Sequence, residues 1–299
     1  KLPDKIRAAF GPPFFVDRTR RNFELAVMYT HSTDAGWISR THRAIAPYRL
    51  QKPETVSEVL DALSQSDGAT LIAGGIDLTR RMRSGDAWDE VIDISGVAGL
   101  KGISRIGDTI RIGALATHWD VETDPVLETY LPDFQAGWKT IGNIRIRMTG
   151  TVGGNLMANE PGYDGRVLLA AAGGSLIFAT ADGEVSVPAD AAPDQIPSPA
   201  LLTALEIPTE TSARVAFDRS LKPVVSVAVG LEGDRARVAI GCAFDHPAFW
   251  SGSVADIDTC TNSLPDPKDN PLGSAAYRRR MIGVLARRLA GNLQAGDIS

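Results

Sequence analysis

At 299 residues, 43% of them hydrophobic and 22% charged, the chain has the composition of an ordinary globular protein and is long enough for two compact domains. Its formal net charge of -5 supplies no global basic field for nucleic acid, and no apolar run is long enough to cross a bilayer, so the reading is of a soluble, cytoplasmic protein. Cys242 and Cys260 stand far apart and outside any Cys-x-x-Cys spacing, so a metal or cluster belonging to the chemistry is expected on another chain.

In chain order, residues 1–43 carry Pro12-Pro13 and little periodicity, which reads as an extension that wraps or docks. Thr19-Arg20-Arg21-Asn22-Phe23 superficially looks like an export signal, but the apolar stretch behind it, 25–28, is one helical turn, so the segment reads as surface. The chain starts at Lys1 rather than Met, and its natural beginning is expected upstream. Thr55 and Glu58 form a capping box ahead of a helix with Val56, Val59, Leu60 and Leu63 on one side. A strand over 69–72 runs into Ala73-Gly74-Gly75-Ile76-Asp77, and a short helix over 77–83 turns Leu78 and Met82 inward and Arg80, Arg81 and Arg83 outward.

The runs 91–94, 100–103 and 109–113 are β-rich and predict a second small sheet. Residues 117–138 read as helical, with Val126, Leu127, Tyr130, Leu131 and Phe134 buried, and deliver the chain to a second paired-glycine turn, Thr151-Val152-Gly153-Gly154-Asn155. Both turns are expected at strand ends, with φ > 0 at their glycines and main-chain N–H groups free to close on an anion such as a pyrophosphate. A helix over 167–172 and a hairpin of 175–179 with 185–187 follow, the latter on Asp182-Gly183. The proline-rich stretch 188–208 reads as a boundary. Beyond it, strands at 223–229 and 236–243 join through Glu232-Gly233-Asp234.

A closing amphipathic helix, 274–290, carries Tyr277, Met281, Leu285 and Leu289 on one stripe. Arg278, Arg279, Arg280, Arg287 and Arg288 lie on its other faces, either as a solvated surface or as a docking surface for an acidic partner. His31, His42, His118 and His246 form no metal-binding helix and read as solvated or core residues.

Ile144-Arg145 followed by Gly150-Thr151-Val152-Gly153-Gly154-Asn155-Leu156, then Pro161 and Asp164, resembles the signature of the FAD-binding medium subunit of molybdenum hydroxylases, the xanthine dehydrogenase and carbon monoxide dehydrogenase family. Ala73-Gly74-Gly75-Ile76-Asp77-Leu78 is similar to that family's other fingerprint, 112–118 to a third stretch, and 274–279 to its closing Tyr-Arg-Arg helix. The resemblance covers about Ala46 to Leu289.

It implies an α+β fold: a two-part FAD-binding domain of the vanillyl-alcohol-oxidase type over 44–209, then a small, three-stranded α+β domain over 210–299 of the carbon monoxide dehydrogenase flavoprotein type. It places FAD against Leu71, Ile72, Ala73, Gly74, Gly75, Ile76, Asp77 and Leu78 on one side and Thr151, Val152, Gly153, Gly154 and Asn155 on the other. Thr117, Ile141 and Leu202 match flanking positions, and Asp164 matches an acid that bonds the cofactor's hydroxyls, although by spacing alone Asp164 also suits a helix N-cap. Ile76 stands where the family usually has Thr. Glu160 stands where a small Ser is common, and is expected to repel a pyrophosphate unless it points away. A family Lys that approaches the flavin aligns only loosely near Phe217-Asp218-Arg219.

By the same resemblance the chain is the flavoprotein subunit of a multi-subunit oxidoreductase. It would take electrons from the [2Fe-2S] clusters of a small iron–sulfur subunit, fed by a molybdopterin large subunit, and deliver them through FAD to NAD, a quinone or oxygen. The alternatives are a free-standing flavin oxidoreductase, for which no convincing base is seen, and a scaffold that has lost FAD.

Overall fold

The computed structural model describes residues 45–158, 160–209, 214–220 and 224–296. The extension over 1–43, with its arginine pair, His31 and His42, lies outside the described residues, as does Pro223 at the start of one expected strand. Residues 44–299 form one unit by their contacts.

The first layer is a parallel sheet in the order β1 (Arg49–Gln51), β3 (Glu90–Asp93), β2 (Ala69–Ile72). Helix α1 (Val56–Gln65) starts where expected: the Thr55 hydroxyl accepts from the Glu58 N–H at 3.2 Å while Glu58 reaches back to the N–H groups of Glu54 and Thr55. Its Val59 and Ala62 pack on Ile92, Ile94, Val97 and Leu100. The run 91–94 therefore belongs to this sheet rather than to a second one. Glu90, Val91 and Ile92 are all buried, as a strand flanked on both sides and reached through helix α2 (Ile76–Ser84) requires.

The second sheet is antiparallel, in the order β4 (Ile103–Ile106), β5 (Thr109–Gly113), β8 (Leu201–Pro208), β6 (Ser175–Thr180), β7 (Gly183–Pro188). Its central strand is β8, so the proline-rich stretch is no boundary: burial of six of the seven residues Leu201-Leu202-Thr203-Ala204-Leu205-Glu206-Ile207, all but Glu206, between two neighbours overrides the prolines at its edges. The helical stretch is three short helices, α3 (His118–Thr123), α4 (Pro125–Tyr130) and α5 (Pro132–Trp138), because Pro125 and Pro132 each begin a new helix. Tyr130 is exposed, not buried, and lies under the Arg105 guanidinium at 4.4 Å. Helices α6 (Ile144–Thr149), α7 (Val152–Met157) and α8 (Gly165–Ala171) complete the layer, and α8 is buried along nearly its whole length.

The C-terminal layer is a four-stranded antiparallel sheet, one strand more than expected: β12 (Ala248–Ser253), β11 (Arg235–Gly241), β10 (Ser226–Glu232), β9 (Arg214–Arg219). Helix α9 (Ala275–Ala295) lies on it through Ile282, Leu285, Ala286, Leu289, Ala290 and Leu293. The apolar stripe is rotated from the one read in the sequence: Tyr277 is exposed and Arg278 is 2% exposed. Arg278 is buried because it closes backbone acceptors, donating to the Cys242 and Gly273 carbonyls at 3.1 and 3.2 Å and to Asn270 Oδ1 at 2.8 Å.

The sheet meets α8 backbone to backbone: a Cβ on Gly230 would stand 1.9 Å from the Ala171 carbonyl oxygen. Gly230→Ala should therefore cost about 1–3 kcal/mol through overpacking, a loss of roughly 3–10 °C in Tm for a unit of this size. An unchanged melting curve would mean that α8 and β10 can part freely.

Candidate functional site

A cavity of about 490 Å³ opens beyond the carboxyl end of β2, between the parallel sheet and the helices of the second layer. That size suits a small organic ligand, and the carboxyl edge of a parallel sheet is where such ligands commonly sit. The cavity gathers all eight expected residues from Leu71 to Leu78, with Thr151, Gly153, Gly154, Asn155, Ile141, Asp164 and Leu202. Two expected residues do not line it. Val152 is fully buried in the core, and the Thr117 hydroxyl is taken by the Asp120 N–H at 3.1 Å as the cap of α3.

The two glycine pairs differ in what they offer. Gly75 has φ 75° and begins α2, with no side chain capping it. The N–H groups of Gly75, Ile76, Asp77 and Leu78 accordingly meet no acceptor among the described residues, and they point where the helix dipole is positive. Gly74 is glycine for proximity: a Cβ there would lie 2.1 Å from the Thr149 carbonyl oxygen.

The second pair follows α6 rather than a strand, and Gly153 and Gly154 lie inside α7 without positive φ. Its donors are spoken for. Val152 and Gly153 donate to the Ala116 and Ala114 carbonyls at 2.8 Å each, Gly154 to the Thr151 hydroxyl at 3.1 Å and Asn155 to the Thr151 carbonyl at 3.0 Å. The expectation of two equivalent N–H cradles is thus corrected to one. Gly153 is required because Ala114 would be 2.9 Å from its Cβ.

Asp164 precedes α8 but does not cap it. Its carboxylate, 1% exposed, accepts from the Ser226 hydroxyl at 2.6 Å and from Arg219 at 3.3 Å. Burial pushes its pKa up, while Ser226 and Arg219 pull against that. Ile76 is half-exposed at the rim. Glu160 does not line the cavity; its Oε2 lies 3.1 Å from Arg80.

Residues that were not among those expected to meet FAD also reach the cavity, among them His118, Tyr163, Arg219 and Arg81, the last expected to turn outward. The available signal was the family-like stretch 112–118, which ends at His118 just after the capping Thr117. His118 is 2% exposed, stacks on Trp138 at 5.5 Å and has no partner for Nδ1 among the described residues. Desolvation, with the nearby Arg147 charge, lowers its pKa to about 4.

An imidazole held neutral in the fold and titrating near 6.5 when unfolded contributes stability that is complete above pH 6.5 and is lost as pH falls toward 4. Replacing it by a residue that does not titrate, His118→Gln, should remove that part of the Tm-against-pH slope, about 3 kcal/mol across the window. A His118 signal titrating near 6.5 by NMR would refute this.

Residues 46–210, more than half of the chain, match the family described as the FAD binding domain in molybdopterin dehydrogenase. The carbon monoxide dehydrogenase medium chain of Hydrogenophaga pseudoflava is 26% identical over 278 residues, 81% of this chain and 95% of that one. The glyceraldehyde dehydrogenase medium chain of Sulfolobus acidocaldarius is 24% identical over 79% of this chain and 95% of its own. In fold, the chain is similar to carbon monoxide dehydrogenase from Hydrogenophaga pseudoflava, with a TM-score of 0.76 at 20% identity over 85% of this chain and 99% of that one. It is similar also to quinoline 2-oxidoreductase from Pseudomonas putida 86, with a TM-score of 0.74 at 21% identity over 86% and 100%. The cavity offers an apolar slot from Leu71, Ile72, Ile94, Ile141 and Leu202, unengaged N–H groups and a buried carboxylate, which fit the flavin ring, the diphosphate and the hydroxyls of one dinucleotide. The chain belongs to the molybdopterin dehydrogenase FAD-binding family, as a flavoprotein subunit of an oxidoreductase whose cofactor is FAD.

Proposed function

We propose that this chain is the electron-transfer flavoprotein of a molybdenum hydroxylase complex, receiving electrons from the [2Fe-2S] clusters of a small subunit, themselves supplied by a molybdopterin large subunit, and passing them to an external acceptor. The observation that carries the reading is the coincidence of the family match with one cavity that holds fifteen of the seventeen residues expected to meet FAD. Bound there, FAD supplies the redox chemistry. The chain's part is placement: the N–H groups opening α2 hold the diphosphate, Asp164 accepts from the hydroxyls, and the aliphatic walls exclude water from the ring.

The domain division falls at 209/210 in this reading, with the C-terminal layer contributing Arg219 to the cavity. Docking belongs to the segment 1–43 and to α9. On that helix Arg279, Arg287 and Arg288 already pair with Asp266, Asp258 and Asp218, leaving Arg280 as its exposed cation without such a pair among the described residues.

The purified protein should be yellow, absorb near 450 nm and release its flavin on heating or acid. A preparation that stays colourless with added FAD would sink the reading. Gly74→Ala should lower flavin occupancy at least tenfold, since the new methyl drives α2 away from the Thr149 carbonyl, while far-UV circular dichroism stays native. For the partners, mild-salt copurification from the native source decides. The proposal fails if the chain elutes alone, fully flavinylated, and reduces an acceptor with an organic substrate unaided.

A further inference from the structure

The anion site at the start of α2 has an electrostatic problem. Asp77, in its first turn, lines the cavity at 17% side-chain exposure, and Glu160 approaches from the loop between α7 and α8. Two carboxylates beside uncapped helix donors would oppose the diphosphate those donors attract.

The side chains resolve it. Arg80 stands 2.6 Å from Asp77 Oδ1 and 3.1 Å from Glu160 Oε2, so one guanidinium faces both charges. The Tyr163 hydroxyl donates to the same Asp77 oxygen at 3.2 Å. The network has two layers: Asp77 and Tyr163 on the cavity wall, and Arg80 and Glu160 outside it, about half-exposed. It also joins parts of the chain eighty residues apart, α2 of the parallel layer and the loop leading into α8. Both parts contribute lining to the cavity, through Asp77 and Tyr163.

We propose that Arg80, Asp77, Tyr163 and Glu160 form a clasp across the rim of the cavity that governs how long the dinucleotide stays bound, with Arg80 as the positioning residue that screens both carboxylates from the diphosphate. This rests on the FAD reading above. It reverses the sign expected from sequence for Glu160: its carboxylate anchors Arg80 and so retains the cofactor instead of repelling it.

The experiment is FAD release from the loaded protein, followed by the recovery of flavin fluorescence at two salt concentrations. Glu160→Gln and Tyr163→Phe should each speed release about two- to fivefold, the scale of an exposed pair. Arg80→Gln should speed it roughly tenfold or more, with the larger effect at low salt, because Asp77 is then unscreened. Arg80→Gln combined with Glu160→Gln should be no faster than Arg80→Gln alone. Slower release from Glu160→Gln, or equal rates in all variants, overturns the clasp while leaving FAD binding intact. A wild type that never binds FAD overturns the function instead. In that event the double-mutant cycle is read in Tm of the flavin-free chain, where strictly additive losses for Arg80 and Glu160 overturn the clasp independently.

Discussion

The site depends on one steric condition: no Cβ at Gly74, so that the backbone opening α2 can lie against the Thr149 carbonyl at the end of α6. That contact brings the carboxyl edge of the parallel layer up to the helices of the antiparallel one, and the cavity is the space left beside it. Gly153 makes the same kind of approach against Ala114, just after β5, so α7 is fastened to the sheet by close backbone contact and by the N–H bonds that this contact permits. The fastening uses up α7's donors. Division of labour follows: α7 is a wall, and α2 is the end with electrostatic capacity to spare.

Burial then sets the charges. His118 and Asp164 are both almost wholly removed from water and both penalised in the charged form, yet they differ in the partners they meet. Nothing among the described residues accepts from a protonated His118, and Arg147 repels one, so the imidazole stays neutral. Asp164 has a hydroxyl and a guanidinium that pull against the burial, so its carboxyl group is held by partners at the edge of a largely apolar slot. A neutral ring on one wall and a hydrogen-bonded carboxyl group on another suit a ligand that is part aromatic and part polyol.

How much of this was legible in the sequence depended on how local the cause was. The Thr55–Glu58 capping box and the hairpin on Asp182-Gly183 are settled within four residues, and both form as read. Most of the cavity was legible too, because its walls are contiguous fingerprints. What failed was decided from afar. The strand hidden in the proline-rich stretch exists because β5 and β6 flank it, and Arg278 is buried because the carbonyls of Val224 before β10, Cys242 after β11 and Gly273 before α9 converge on it. The glycines at 153 and 154 were read for φ > 0, yet the reason for Gly153 is an alanine about forty residues earlier in sequence, and a Cβ at Gly154 would meet the capping Thr151 hydroxyl.

Glu160 shows how a departure from a family pattern is misread when taken singly. Alone, a carboxylate near a phosphate site is a liability. Beside Arg80 it is half of a pair, and with Tyr163 on the shared Asp77 oxygen it belongs to a network no single position reveals. Arg80 itself reads as an outward-facing surface charge on a short helix, and half of its side chain is indeed in water. Screening by solvent keeps each of these contacts weak in isolation, so the network matters less for the stability of the fold than for the relative placement of the two walls it spans. Weak, exposed and mutually dependent contacts can yield under ligand exchange without disturbing the core beneath them, which is what a rim that must both admit and retain a cofactor requires.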